Sequence, residues 1–245
     1  MQETLICGPP GCGKTHTLME IIQKELDAGT PPDRIGFVSF SKKSIKEAKH
    51  RASSKFNLSD NDLPWFKTLH ALGFAWLGME SKNVVGPADL QELEWELGVR
   101  FDSNTAEQMS DGIIPMSYQK GNKYLSIIAR AKMRCISMEE EYNDTADYDL
   151  HWEQLVHIDR TYTEYKSDNN KYDFTDMVEL FVQQETAPTL DVLIVDEAQD
   201  LTPLQWKQVK VLKEHADRIW YAGDDDQCIH RWNGVDVGQF MNACE

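Results

Sequence analysis

The sequence predicts an α/β protein, a parallel sheet flanked by helices and interrupted by an all-helical insertion. Three observations predict it. A short apolar strand runs into a glycine-rich loop and then a helix within residues 4–28. Further on, two apolar runs each end in acidic residues, at Asp196 and at Asp224. The long stretch before them carries helical periodicity and little strand signal.

Taken in order, the first strand is Thr4-Leu5-Ile6-Cys7, followed by Gly8-Pro9-Pro10-Gly11-Cys12-Gly13-Lys14-Thr15. This is the spacing of a phosphate-binding loop. Glycines let backbone N–H groups turn inward around phosphates, and the dipole of the next helix adds positive potential there. Lys14 then reaches the β- and γ-phosphates, and the Thr15 hydroxyl is placed to ligate Mg²⁺. The helix runs from Thr15 to Ala28 with Leu18, Ile21, Ile22 and Leu26 at helical spacing, and Gly29-Thr30-Pro31-Pro32 ends it. Ile35 to Phe40 reads as the second strand and Lys43 to Lys55 as a basic helix, so the alternation implies parallel pairing.

The pattern then changes. Between residues 78 and 170 come helical segments at Pro87–Leu97, Lys120–Arg134 and Leu150–Tyr165, too much chain for an ordinary loop. The expected organisation is therefore an α/β nucleotide-binding core of residues 1–77 and 171–245 around a helical subdomain of 78–170. Strand signal returns at Asp191–Val195, a continuous apolar run of the buried parallel type, leading into Asp196-Glu197-Ala198-Gln199-Asp200. A helix from Pro203 to His215 and a strand at Ile219–Ala222 follow, ending at Gly223-Asp224-Asp225-Asp226-Gln227. Both acidic runs fall just past a strand's carboxyl end, where open α/β sheets place their ligands.

Composition sets the outer limits. With 245 residues, 41% of them hydrophobic, the chain can bury one large core or two small ones. It has neither an apolar run of membrane-spanning length nor a signal-type N-terminus, so a cytoplasmic protein with no membrane partner is expected. Its five cysteines are odd in number and scattered, suggesting neither a disulfide framework nor zinc. The net charge of −16 by itself opposes nucleic-acid binding. The charge is segregated, however: Lys42, Lys43, Lys46, Lys49, Arg51 and Lys55 form one cluster, and Lys120, Lys123, Arg130, Lys132 and Arg134 another. Each reads as a binding face or as a solvated helix face.

Chemistry follows from the strand ends. An acid after a buried strand partners a loop threonine on Mg²⁺, which selects Asp196. Glu197 beside it is placed to deprotonate an attacking water, although the same two acids would also suit a helix cap. Gln227 reaches toward the same pocket, where it would sense a γ-phosphate. Cys228-Ile229-His230-Arg231-Trp232-Asn233-Gly234 puts an aromatic, a cation and amides on one loop, suited to stacking on an unpaired base. A lone tryptophan also belongs readily to a core.

These motifs together carry a resemblance. The loop at 8–15, Phe37-Val38-Ser39-Phe40-Ser41-Lys42-Lys43, Thr68-Leu69-His70, Tyr172-Asp173-Phe174-Thr175-Asp176, Val195–Asp200 and Gly223–Gly234 occur in the order and spacing of superfamily 1 DNA helicases of the UvrD/Rep/PcrA branch. The resemblance implies a RecA-like P-loop NTPase domain with an accessory helical subdomain, and ATP-dependent 3′-to-5′ helicase or translocase activity. It implies ATP and Mg²⁺ as cofactors. Gly8, Pro9, Pro10, Gly11, Cys12, Gly13, Lys14, Thr15, His16, Asp196, Glu197, Gln199 and Gln227 would form the nucleotide site, with Gln199 coupling it to DNA. Phe40, Lys42, Thr68, His70, His230 and Trp232 would contact single-stranded DNA, Phe40 and Trp232 by stacking. The implied partners are single-stranded DNA and duplex junctions, together with a second RecA-like domain missing from this chain, so little turnover is expected of the chain alone. The family's adenine-recognising glutamine segment upstream of the loop is missing as well. Lys42 stands where the family usually has asparagine and Asn233 where it usually has arginine. A standalone nucleotide-dependent DNA-binding switch, or another P-loop ATPase or kinase, are the alternative readings.

Overall fold

The computed structural model describes residues 2–9, 11–40, 42–102, 119–145, 147, 149–224 and 237–243. Pro10, Gln227, His230 and Trp232, all named above, lie outside the described residues.

Five parallel strands form one sheet: β1 (Gln2–Cys7), β2 (Ile35–Ser39), β3 (Phe66–Thr68), β4 (Leu190–Asp196) and β5 (Ala216–Gly223), in the order β1-β5-β4-β2-β3. Four of them are legible in the sequence; β3 is not, because its three residues are too few to show alternation. The strand pairs with β2 from Phe37↔Phe66 to Ser39↔Thr68, and Phe37 and Phe66 stack with ring centroids 5.4 Å apart.

β4 explains its own unbroken apolar run. Leu193 and Val195 enter one core cluster while Val192 and Ile194 enter the other, so both faces of this central strand are covered. On one side lie α1 (Lys14–Asp27) and α2 (Lys42–Phe56), contributing Leu18, Ile22, Ile45 and Ala48. The opposite side is covered by α3 (Leu69–Trp76), α8 (Phe174–Gln184) and α9 (Pro203–Glu214), contributing Leu72, Phe181, Val209 and Leu212. The result is a three-layer α/β/α core.

Between α3 and α8 come α4 (Pro87–Leu97), α5 (Lys120–Arg134), α6 (Met138–Thr145) and α7 (Trp152–Asp168). Their apolar faces close a third cluster of their own around Leu93, Tyr124, Ile127, Leu155 and Ile158. The segment leaves and re-enters the core at one point: Val85 N donates to Tyr172 O at 3.0 Å, and Tyr172 N to Asn83 O at 2.7 Å. It docks on the core through Met133, Val178 and Leu204, and through Lys132, which pairs with Asp176 at 3.1 Å and Glu179 at 2.9 Å. A final helix, α10 (Val237–Met241), packs Phe240 against the core.

The second basic cluster of the sequence reading is not a free cationic face. Lys123 pairs with Asp147 at 2.7 Å, Arg130 and Arg134 share Glu141, and Lys132 binds the two α8 carboxylates. Among the described residues, acids outside the helix thus pair with four of its five cations, all but Lys120, which a scan along one helix does not reveal. The α2 cluster differs: Arg51 pairs with Glu47, while Lys46 and Lys49 make no ion pair among the described residues.

Candidate functional site

All five strands run parallel, so their carboxyl ends share one edge of the sheet. Along that edge the order β1-β5-β4-β2-β3 sets out the loop at residues 8–15, then Asp224, then Asp196 and Glu197, then Phe40 and Lys42, then Thr68 and His70. Residues scattered across the chain become one row.

In the loop, Gly11 and Gly13 have φ of 75° and 95°, which only glycine adopts without strain. Gly13 is the N-cap of α1 and offers no side-chain hydrogen bond, and the first turn carries no acid. Other helices of the core are closed by side chains: Thr68 Oγ1 accepts from Ala71 N, Asp173 from Asp176 N, and Thr202 from Gln205 N. The start of α1 thus keeps its amides and positive dipole end for an anion. Lys14 Nζ donates to the carbonyls of Gly8 and of Pro9, the latter at 3.3 Å, which holds the ammonium inside the loop. Gly8 N donates to Gly223 O at 3.2 Å and ties the loop to the end of β5. His16, on the exposed side of α1, is 3.3 Å from Glu20.

Asp196, the last residue of β4, is buried, and its carboxyl is pushed up to about 7 by burial and then by the Glu197 charge, while the Lys14 ammonium opposes the shift. A carboxylate held so close to neutrality needs a positive partner to stay ionised at neutral pH. A divalent cation supplies one, so the donors here, a buried carboxylate and a loop threonine, suit Mg²⁺. Glu197 has φ of 51°, in the left-handed region that costs a non-glycine residue about 1–2 kcal/mol. Such strain at the end of a buried strand marks a backbone bent to aim a side chain.

Gln199 joins the neighbouring strand ends. Its Nε2 donates to Glu197 Oε2 at 2.9 Å and to Asp200 Oδ2 at 3.3 Å, and its Oε1 accepts from Asp224 N at 3.1 Å. A Cβ on Gly223 would come within 2.5 Å of Gln199 Oε1, so only glycine leaves room for this bridge. Asp200 is the participant that the sequence reading did not place in the site. Burial and the Glu197 charge push its carboxyl up to about 7. Its signal in the sequence was only that it ends the acidic run.

At the other end of the row the predicted strand contacts lie mostly beneath the surface. Phe40 is 6% exposed and sits in the core cluster, and Thr68, also 6% exposed, caps α3. His70 is 3% exposed, with Nε2 unpartnered among the described residues and its ring edge-on to Phe174 at 6.3 Å. Burial lowers its pKa to about 4. In this conformation these three side chains build the floor of the surface, whereas Lys42 is exposed above it.

The family model for the UvrD/REP helicase N-terminal domain matches residues 1–245. The chain is 25% identical over 258 residues to ATP-dependent DNA helicase PcrA of Bacillus subtilis (strain 168), covering 97% of this chain and 33% of that protein. It is 23% identical over 246 residues to DNA helicase II of Salmonella typhimurium, covering 95% and 33%. With ATP-dependent DNA helicase Rep of Buchnera aphidicola subsp. Baizongia pistaciae the identity is 24% over 254 residues, covering 96% and 35%. The chain spans about a third of the length of the curated relatives it matches. On the match of the family model over its whole length, this chain belongs to the UvrD/REP helicase N-terminal domain family.

Proposed function

We propose that this chain is the ATP- and single-strand-binding part of an ATP-dependent DNA helicase or translocase, its α/β core formed by residues 1–77 and 171–245 and its accessory subdomain by 78–170. The observation that carries the reading is the row itself: one sheet edge runs from an anion-ready loop, through buried acids, to a cationic helix start. When bound, ATP–Mg²⁺ would bring the γ-phosphoryl group that water attacks. The loop of residues 8–13, through the N–H groups of its non-proline residues, and Lys14 would hold its phosphates, with Thr15 and Asp196 as metal ligands and His16 at the mouth. Glu197, aimed by its bent backbone, would take the proton of the attacking water, and Gln227 would face the γ-phosphate. Gln199 would pass the state of that pocket along the edge, since it already bonds the ends of both β4 and β5. The DNA would lie over Phe40, Lys42, Thr68 and His70, with His230 and Trp232 beside it and a duplex junction ahead. Motion along it would require the second RecA-like domain. Relatives named as ATP-dependent DNA helicases support this reading.

Calorimetric titration with Mg²⁺–ATP tests the nucleotide half. A charge-assisted phosphate contact contributes about 1.5–3 kcal/mol, so Lys14→Ala should weaken affinity by about 10–100-fold. Unchanged affinity would remove the loop from the site. For the DNA half, Trp232→Ala should weaken oligothymidylate binding by the roughly 1–3 kcal/mol of one stacked base and leave ATP affinity alone.

A further inference from the structure

Beside the row lies a groove of about 490 Å³ that the row's own residues only border, at Lys42 and Thr68. One wall is α2, with Lys42, Lys46 and Lys49 on its inner face; the other is β3, with Lys67. Its apolar floor is formed by Ile45, Phe66 and Ala71, and Asp60 is the carboxylate on its lining. Lys46, Lys49 and Lys67 make no ion pair among the described residues. Burial lowers the pKa of Lys67, and the Lys49 charge lowers it further. On a chain of net charge −16, with most of the other basic cluster paired with acids, an open cationic groove is an exception that calls for an anion.

We propose that this groove is a binding subsite for the sugar-phosphate backbone of a single-stranded nucleic acid, held by Lys46, Lys49 and Lys67. The proposal rests on the reading that the chain binds single-stranded DNA, and it extends the strand's path away from the sheet edge and down α2. Helical rise places Lys42, Lys46 and Lys49 about 6 and 4.5 Å apart along the axis, a ladder of cations comparable to the phosphate spacing of one strand. Lys42 and Thr68, at the end of the row, also line the groove, so a strand crossing the row would meet it there. Its apolar floor gives bases a surface to lie on, which a purely ionic docking face for an acidic protein would not need.

The test is the salt dependence of binding to a labelled oligothymidylate, followed by fluorescence anisotropy from about 50 to 200 mM salt. Each phosphate contact on a single strand contributes about 0.7 to the slope of log affinity against log salt, so the triple variant Lys46→Gln, Lys49→Gln, Lys67→Gln should flatten it by roughly 2. Each single variant should flatten it by about 0.7, and the triple Lys→Arg variant should keep it. A wild-type slope retained in the triple Gln variant, alongside normal wild-type binding, would overturn the groove and leave the DNA reading intact. Absence of any binding by the wild type would overturn both. Displacement of the oligonucleotide by polyglutamate at equal charge concentration would assign the groove to an acidic protein and overturn the proposal.

Discussion

Two residues, the buried His70 and the half-buried Asp200, give this protein opposing responses to pH. The folded state holds His70 neutral, with its pKa lowered by burial to about 4. Between about pH 4 and 6.5 the unfolded chain binds a proton there that the folded protein does not, so stability falls as pH drops across that window, by at most about 1.4 kcal/mol per unit. Asp200 acts in the other direction. Its carboxyl is raised to about 7, so from roughly pH 4 to 7 the folded state keeps a proton that the unfolded chain has released, and stability falls as pH rises. Urea unfolding at a series of pH values separates the two. His70→Gln should reduce the loss on the acid side and Asp200→Asn the loss toward neutrality, where Asp196, also raised to about 7, contributes the rest. Parallel curves for wild type and both variants would contradict these burial assignments. His70 could be picked out in the sequence as one member of a Thr-Leu-His motif. That it sits under the surface was not legible, because burial depends on Phe174, over a hundred residues away in the chain.

Among the elements, α8 shows best how local and distant chemistry meet. Asp173 caps it by accepting from Asp176 N at 2.9 Å, while Asp176 accepts from Asp173 N at 2.9 Å, a reciprocal box written in four residues of sequence. The same two carboxylates receive Lys166 from α7 at 2.7 and 2.6 Å, and Asp176 also receives Lys132 from α5. Burial would raise the Asp173 pKa, but the Lys166 and Lys132 charges outweigh it and hold the carboxyl below its usual range. Asp173→Ala removes the cap and leaves Lys166 buried with one partner. On the scale of a broken buried pair, the loss should be on the order of 3 kcal/mol, read as a lower urea midpoint at constant slope. A change below about 0.5 kcal/mol, the level of an ordinary surface substitution, would show that Asp176 alone suffices.

At the scale of the whole molecule, the helical segment is a detour that begins and ends at one place. Asn83, Val85 and Tyr172 hydrogen-bond where the chain departs and returns, and the segment closes an apolar cluster of its own. Because the ends already meet, replacing residues 86–170 with a short glycine-serine linker should leave a cooperatively folding α/β core, since loop-closure entropy changes only slowly with length. Some stability should go with Met133 and Lys132, which pack on and pair with that core. The expected result is a single unfolding transition with Mg²⁺–ATP affinity retained. A shortened chain that does not fold would mean that the segment is part of one core and not an insertion.

The sequence alone determined the local grammar of this protein. The phosphate loop, the buried strand before Asp196, the helices at 87–97 and 120–134 and the two acidic strand ends all follow from short-range pattern, because glycine freedom, helical period and continuous apolarity are written within a few neighbouring residues. Only the tertiary structure decided what lay across the chain. It added β3 as a strand, paired most of one basic cluster with acids from other segments, put His70 and Phe40 under the surface and drew Asp200 into the site. Above all, the order β1-β5-β4-β2-β3 turned separate motifs into one row, because adjacency in a parallel sheet is set by which strands pair and not by which come next in the chain.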